Sequence, residues 1–302
     1  MTKTHFDTSI KQSFLDGRPA FNQTFYPNEE YYNGIDQNGN HNPLYLNPDI
    51  INIIGQDILE DITRGRGNEI ITHKFFSVGS SCRFAVASFS ALNNNDNKLH
   101  KINSIGNTQI QNGTLEFEKN CSIRYIQGGS PQLDVYFQTT DNSHYFFEVK
   151  CHELFDYLQL RLSPQYQQYF HQFINEGLMN VGQGLFQHWN NLTHDDFGVH
   201  IEQMNRERFD FKQFICHLLG IISFRENHPV EPIKFYCLFY RINDAAFDAV
   251  YQQLEQEIKA VAAAFSSVFQ HYRIEFGFIY NNDFDTLNSL TPTWLFTNEP
   301  RQ

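Results

Sequence analysis

With 302 residues, 41% of them hydrophobic and 16% aromatic, the chain can bury a core of its own, which excludes an intrinsically disordered protein. A formal net charge of −12 argues against a surface coated with phosphate-binding residues, since duplex affinity comes largely from Lys and Arg; a local basic cleft or a metal ion can still supply positive charge. No apolar run approaches the ~20 residues that cross a bilayer, the opening MTKTHFDTSIKQSF has no apolar signal core, and the five cysteines are odd in number with no CxxC spacing. A cytoplasmic protein with reduced thiols and no membrane partner is therefore expected.

Residues 1–48 are rich in Asn, Tyr, Pro and Gly without a sustained period, and read as an irregular arm anchored by its aromatics. The remaining chain, 49–302, reads as one domain. From Pro48 to Arg64, Ile51, Ile54, Ile58, Leu59 and Ile62 recur at helical spacing, and Gly65 and Gly67 end the pattern. Ser80 or Ser81 can cap a helix running to Leu92. Thr114 to Glu118 alternates as a strand; if Leu115 and Phe117 face the core, Glu116 and Glu118 share the other face.

Leu133 to Phe137 and Tyr145 to Lys150 are rich in β-branched and aromatic residues, and Thr139 to Ser143 between them has turn composition, which predicts a hairpin. Asp134 lies at the start of the first strand. Glu148 and Lys150 lie near the end of the second, two apart and hence on one face. The run around Glu148 is apolar on both faces, as in a central strand. Two carboxylates and an amine would then converge near one edge of a sheet, and buried charges of this kind need a partner such as a metal ion or a phosphate.

Helical pieces broken by Gly177, Gly182 and Gly184 follow, read as a helical insertion near 160–205. In Phe209 to Phe224, Asp210 is a plausible cap, and Phe211, Phe214, Ile215, Leu218, Leu219 and Ile222 form a broad apolar stripe. Gln213 and His217 fall four apart on one side of that helix. Ile233 to Tyr240 is a strand, Ala245 to Tyr272 a long helix, and Arg273 to Tyr280 a closing strand. The alternation gives an α/β (α+β) domain, a central mixed sheet flanked by helices.

The sequence Pro131-Gln132-Leu133-Asp134 followed by Glu148-Val149-Lys150 resembles the PD-(D/E)XK, or restriction-endonuclease-like, nuclease superfamily, with the proline three residues before the aspartate instead of beside it. The stretches from Phe117-Glu118 through Gly128-Gly129 to Asp134, and from Glu148 to Glu153, resemble an uncharacterised subset of it. The resemblance implies a metal-dependent endonuclease that hydrolyses DNA, with a role in restriction or defence. Asp134, Glu148 and the Val149 carbonyl would hold Mg2+ (Mn2+ as a substitute), and Lys150 would position or deprotonate a water. Glu69 or Glu118 would add a further carboxylate, although Glu69 reads equally as a carboxylate capping a turn. Glu153, Gln213 and His217 would support these groups from behind. DNA is the implied partner, and a homodimer is allowed. The chain contains neither a GxxxxGK sequence followed by Ser or Thr nor a GxSxG elbow, which disfavours a P-loop NTPase or a serine hydrolase. The alternatives are a non-catalytic subunit of the same fold, used for binding or assembly, and an acidic interaction protein.

Overall fold

The computed structural model describes residues 5, 6, 8, 9, 56–65, 69–70, 75, 79–89, 99–102, 106–111, 113–123, 130–155, 166, 176, 208–242 and 244–281. Five strands form one mixed sheet in sequence order: β3 (Glu116–Asn120), β4 (Gln132–Gln138), β5 (His144–Lys150), β6 (Ile233–Phe239) and β7 (Ile274–Tyr280). The first three form an antiparallel meander, and β6 and β7 then add in parallel. β5 is thus the central strand and the point where the sheet changes sense. Six of its seven residues are buried. The charged cluster expected near an edge of the sheet therefore sits at its middle.

The β4–β5 hairpin forms for the reason read in its sequence. The Asp141 carboxylate accepts the Ser143 N–H at 3.2 Å, Thr139 Oγ1 donates to the Ser143 carbonyl at 3.1 Å, and Asn142 takes the left-handed backbone (φ 63°) that Asn tolerates.

Helices cover both faces. α1 (Gln56–Arg64) lies along β3, where the Asp61 carboxylate accepts the Phe117 N–H at 3.1 Å and so satisfies part of the open edge. α2 (Ser81–Phe89) starts at Ser80, whose Oγ accepts the Arg83 N–H at 3.1 Å. It buries Phe89 against Phe137 and Phe147 on one face of the sheet.

The opposite face is covered by α3 (Phe211–Asn227), α4 (Asp248–Ala264) and α5 (Ser266–Tyr272). There Phe214 stacks on Phe235, Phe269 on Phe276, and Tyr251 meets Tyr280 edge-on. Gly220 sets how closely α3 approaches. A Cβ there would come within 2.8 Å of both Cys121 Cβ and Pro131 Cγ, at the β3–β4 connection.

Several expectations need correction. The long helix from Ala245 is a short 3-10 turn (Ala245–Phe247) followed by two helices that break at Phe265. The Phe265 ring is buried against Phe211 and Phe214, and its backbone leaves the helical region (φ −97°, ψ 8°). Because Val261, Phe265 and Val268 all stay buried across the break, apolar periodicity passes through it unmarked. The described part of the first helix begins at Gln56 and that of α2 runs to Phe89, the expected end at Leu92 lying outside the described residues. A two-stranded ribbon, β1 (Leu99–Ile102) with β2 (Gly106–Gln109), was not legible in that polar stretch. In the N-terminal arm, His5, Phe6, Thr8 and Ser9 are helical, and Phe6 is fully buried, its ring 4.7 Å from that of Phe155. The rest of the arm, and the insertion near 160–205 apart from Tyr166 and Glu176, lie outside the described residues.

Arg225 ties the end of α3 to two other turns. Its guanidinium donates to the carbonyls of Tyr272 (2.8 Å), His228 (2.6 Å), Glu231 (2.6 Å) and Arg273 (2.8 Å), while the side chain is 7% exposed. Arg225→Ala leaves these carbonyls unpaired, at ~1–3 kcal/mol for each that water cannot reach. Urea unfolding should show a lower midpoint by at least about 3 kcal/mol equivalent with an unchanged slope; a midpoint within error of the wild type would show that the four bonds are not needed.

Candidate active site

Three carboxylates come to one level of the sheet on adjacent strands. Phe117 pairs with Val135 and Lys119 with Leu133, so Glu118 stands across from Asp134; Asp134, one residue beyond the Val135–Phe147 pair, stands across from Glu148. On the far side Glu148 pairs with Cys237 of β6.

Glu118 reaches this level through a backbone departure. Its φ of 53° is left-handed, a conformation a non-glycine residue adopts only where the surroundings impose it. Glu116 and Lys119 form an ion pair of 2.7 Å although three residues apart, which a regular strand would place on opposite faces. Strand alternation expected Glu116 and Glu118 on one face; the left-handed residue at Glu118 breaks the alternation at Lys119, which turns back to Glu116. Gly65, just after α1, makes the room: a Cβ there would lie 2.7 Å from Glu118 Cγ. Glu69 lies in a turn after α1, not on a helix, and its charge is felt at Glu118.

The Asp134 carboxylate accepts the Val149 N–H at 2.6 Å, taking the place of a ladder bond where the β4–β5 pairing ends. The neighbouring Lys150 carbonyl points the other way, accepting the Tyr240 N–H at 2.9 Å. Polar groups of successive strand residues alternate in direction, so the Val149 carbonyl faces the same side as its N–H, toward Asp134.

Behind β5, one stripe of α3 matches the strand residue for residue. Gln213 Oε1 is 2.5 Å from Lys150 Nζ, His217 Nδ1 is 3.1 Å from Glu148 Oε2, and Phe224 packs on Phe146 with ring centroids 5.1 Å apart. Lys150 Nζ is also 2.6 Å from Glu148 Oε1. Asp210 caps α3 by accepting the Gln213 N–H at 2.9 Å, which places the helix start beside Lys150. Glu153 accepts the Cys151 N–H at 2.7 Å and adds its charge near Lys150. The ion pairs of Glu148 are close but poorly aligned for hydrogen bonding, so both of its buried oxygens retain acceptor capacity.

The electrostatics divide the cluster in two. Burial alone would push Glu148 up, but His217 and Lys150 outweigh it and hold the carboxyl down at about 2. Burial likewise opposes the Lys150 ammonium, yet Glu148, Glu153 and Asp134 raise its pKa, so Lys150 is a cation here. A water-deprotonating Lys150 needs a depressed pKa, and the structure gives the reverse. Asp134 is pushed well up by burial and then by Glu148 and Glu118. Glu118 is pushed to about 7 by burial and then by Glu148 and Glu69. The row therefore holds one firmly ionised carboxylate and two that resist ionisation in its presence.

Among the described residues, no three His, Cys, Asp or Glu side chains close around a single point as a ready metal cage. A divalent ion here would be held by two carboxylates and a carbonyl, the remaining positions filled by water, as suits Mg2+. The donor set is hard oxygen throughout, and the unused acceptor capacity of Glu148 together with the repelled carboxylates fits a cation. None of the five cysteines forms a disulfide.

No protein-family model, curated protein or solved structure matches the chain.

The structure thus brings Asp134, Glu148, Lys150, Glu118, Gln213 and His217 together, with Glu69 and Glu153 at the margin; Gly128 and Gly129 lie outside the described residues. Sequence reasoning missed Arg208 and Glu257. Arg208 shares a pocket with Glu148 and Lys150, and the buried Glu257 of α4 fixes the chain there by accepting the N–H groups of Arg208 (2.6 Å) and Phe209 (2.8 Å). The one available signal was the position of Arg208, two residues before the α3 cap.

A carboxyl whose folded pKa is raised destabilises the folded protein when ionised. Asp134→Asn and Glu118→Gln, measured above pH 8 in EDTA, should therefore each melt above the wild type by about 2–4 °C, the shift ~1 kcal/mol gives in a domain of this size. Melting at or below the wild type for both would show that the row is not self-repelling.

Proposed function

We propose that this chain is a metal-dependent nuclease hydrolysing DNA phosphodiester bonds, a PD-(D/E)XK protein with a restriction-endonuclease-like core. The carrying observation is the row Glu118–Asp134–Glu148 across three adjacent strands, with Lys150 on the same strand face as Glu148. The mixed five-stranded sheet with helices on both faces supports it. So does the polar stripe of α3, since in this superfamily a helix following the E-x-K strand packs behind the site. Restriction or defence is the role the resemblance implies.

In this reading Asp134, Glu148 and the Val149 carbonyl would hold Mg2+, with Glu118 as a further carboxylate. A bound metal would supply a nucleophilic water at neutral pH and charge for the phosphate in the transition state. The chain's own groups do the rest. Lys150, kept protonated by Glu148, places a fixed positive charge beside the phosphate and stabilises charge developing on its oxygens. Gln213 holds the Lys150 ammonium in place at 2.5 Å. His217 holds Glu148 from behind and keeps it ionised. The Val149 N–H orients Asp134.

A second reading, a non-catalytic subunit of the same fold, is favoured by one observation: both oxygens of Glu148 already have a side-chain neighbour, Lys150 Nζ at Oε1 and His217 Nδ1 at Oε2. Metal binding separates the two.

Purified protein with Mg2+ should nick or cut plasmid and phage DNA. Asp134→Ala, Glu148→Ala and Lys150→Ala should each lower the rate on the order of 100-fold or more while circular dichroism stays native. Cleavage retained in all three would remove the assignment; calorimetry showing no Mg2+ or Mn2+ binding, with no cleavage, would select the non-catalytic subunit.

A further inference from the structure

Glu148 and Lys150 line a small solvent-open pocket together with Arg208, Phe209 and Gln213 at the start of α3. Most charged groups in it are already engaged. Lys150 meets Glu148 and Gln213, Asp210 caps α3, and Glu153 accepts the Cys151 N–H.

Arg208 differs. Among the described residues its guanidinium makes one hydrogen bond, from Nη1 to the Leu154 carbonyl at 3.3 Å, and its buried Nε has no partner. No ion pair joins the guanidinium to an acid among the described residues. A buried donor left unpaired is costly, and guanidinium presents five donors in a planar fork that fits phosphate oxygens. The group is also held in place. Its backbone N–H donates to Glu257 at 2.6 Å, and its Cζ lies 5.7 Å from the centroid of the Phe155 ring.

The pocket thus carries, among its lining residues, an arginine with an unpaired Nε–H and the carboxylate of Glu148. A phosphodiester beside a cation would use both at once. In a chain of net charge −12, attraction for phosphate has to be made locally, and Arg208 is placed to make it.

We infer that Arg208 is the phosphate-positioning residue of this pocket, its guanidinium gripping a backbone phosphate of the nucleic-acid strand next to Glu148 and Lys150. This rests on the nuclease reading for its substrate, but the anion site can be tested without cleavage.

The probe is inorganic phosphate in EDTA, followed through the Arg208 Nε–H resonance in two-dimensional NMR. The resonance, identified by its absence from Arg208→Gln, should shift saturably in the millimolar range. Phosphate affinity by calorimetry should fall about tenfold or more in Arg208→Gln, the loss of one charge-assisted hydrogen bond, and Arg208→Lys should recover only part of it. In cleavage assays Arg208→Gln should raise KM for a short duplex about tenfold and change kcat less. Phosphate that leaves the resonance unmoved, or that binds Arg208→Lys and Arg208→Gln as it binds the wild type, overturns the inference. Phosphate binding through Arg208 without cleavage of any DNA sustains the inference and removes the nuclease reading. Equal cleavage kinetics of wild type and Arg208→Gln do the opposite.

Discussion

A buried carboxylate in the middle of a central strand is the constraint around which the rest is arranged. Glu148 is 5% exposed with apolar residues before and after it, a position where an isolated charge would be strongly disfavoured. Two partners of different origin make it tolerable: the Lys150 ammonium two residues along the same strand, and the His217 ring from the helix behind. α3 must therefore lie close and in one register. Gly220 removes the Cβ that would lift it, and Asp210 fixes where it starts. Replacing such a cluster with apolar residues is often neutral or stabilising. A sequence that keeps it gives up stability, which points to use of the charges.

Much of this was readable before the fold. Strand period two put Glu148 and Lys150 on one face, and helical period four put Gln213 and His217 on one side of α3. These are local rules, and local rules survived. The location of the cluster at the sheet's centre was not legible, because whether β5 gains a parallel neighbour depends on β6, more than 80 residues later in the chain. The break at Phe265 was hidden because its ring continues the apolar stripe. The backbone at Glu118 was not legible, because strand alternation assumes regular dihedrals and its φ is positive. Arg208 carried no pattern; only the fold shows that its guanidinium pairs with no acid among the described residues.

Two levels of support meet at the site. Composition gives an acidic chain, a poor match to a nucleic-acid partner, while the pocket lined by Glu148 also holds Lys150 and Arg208. Overall charge governs long-range approach and local charge governs grip. Such a protein would engage its substrate by short-range contacts rather than by steering, and depend on a cation to screen its own carboxylates.

The topology also orders events in time. Glu118, Asp134 and Glu148 all come from the antiparallel meander, whose contacts span short stretches of chain, whereas Gln213 and His217 arrive with α3, whose lead-in bond to Lys150 closes a separation of 63 residues. Short-range contacts form at lower entropic cost and so tend to come first. During folding the acidic row would then be assembled before the His217 side chain reaches it. Refolding of this protein should accordingly quicken with divalent cations or ionic strength more than its unfolding slows, which makes the same carboxylates a determinant of how the chain folds.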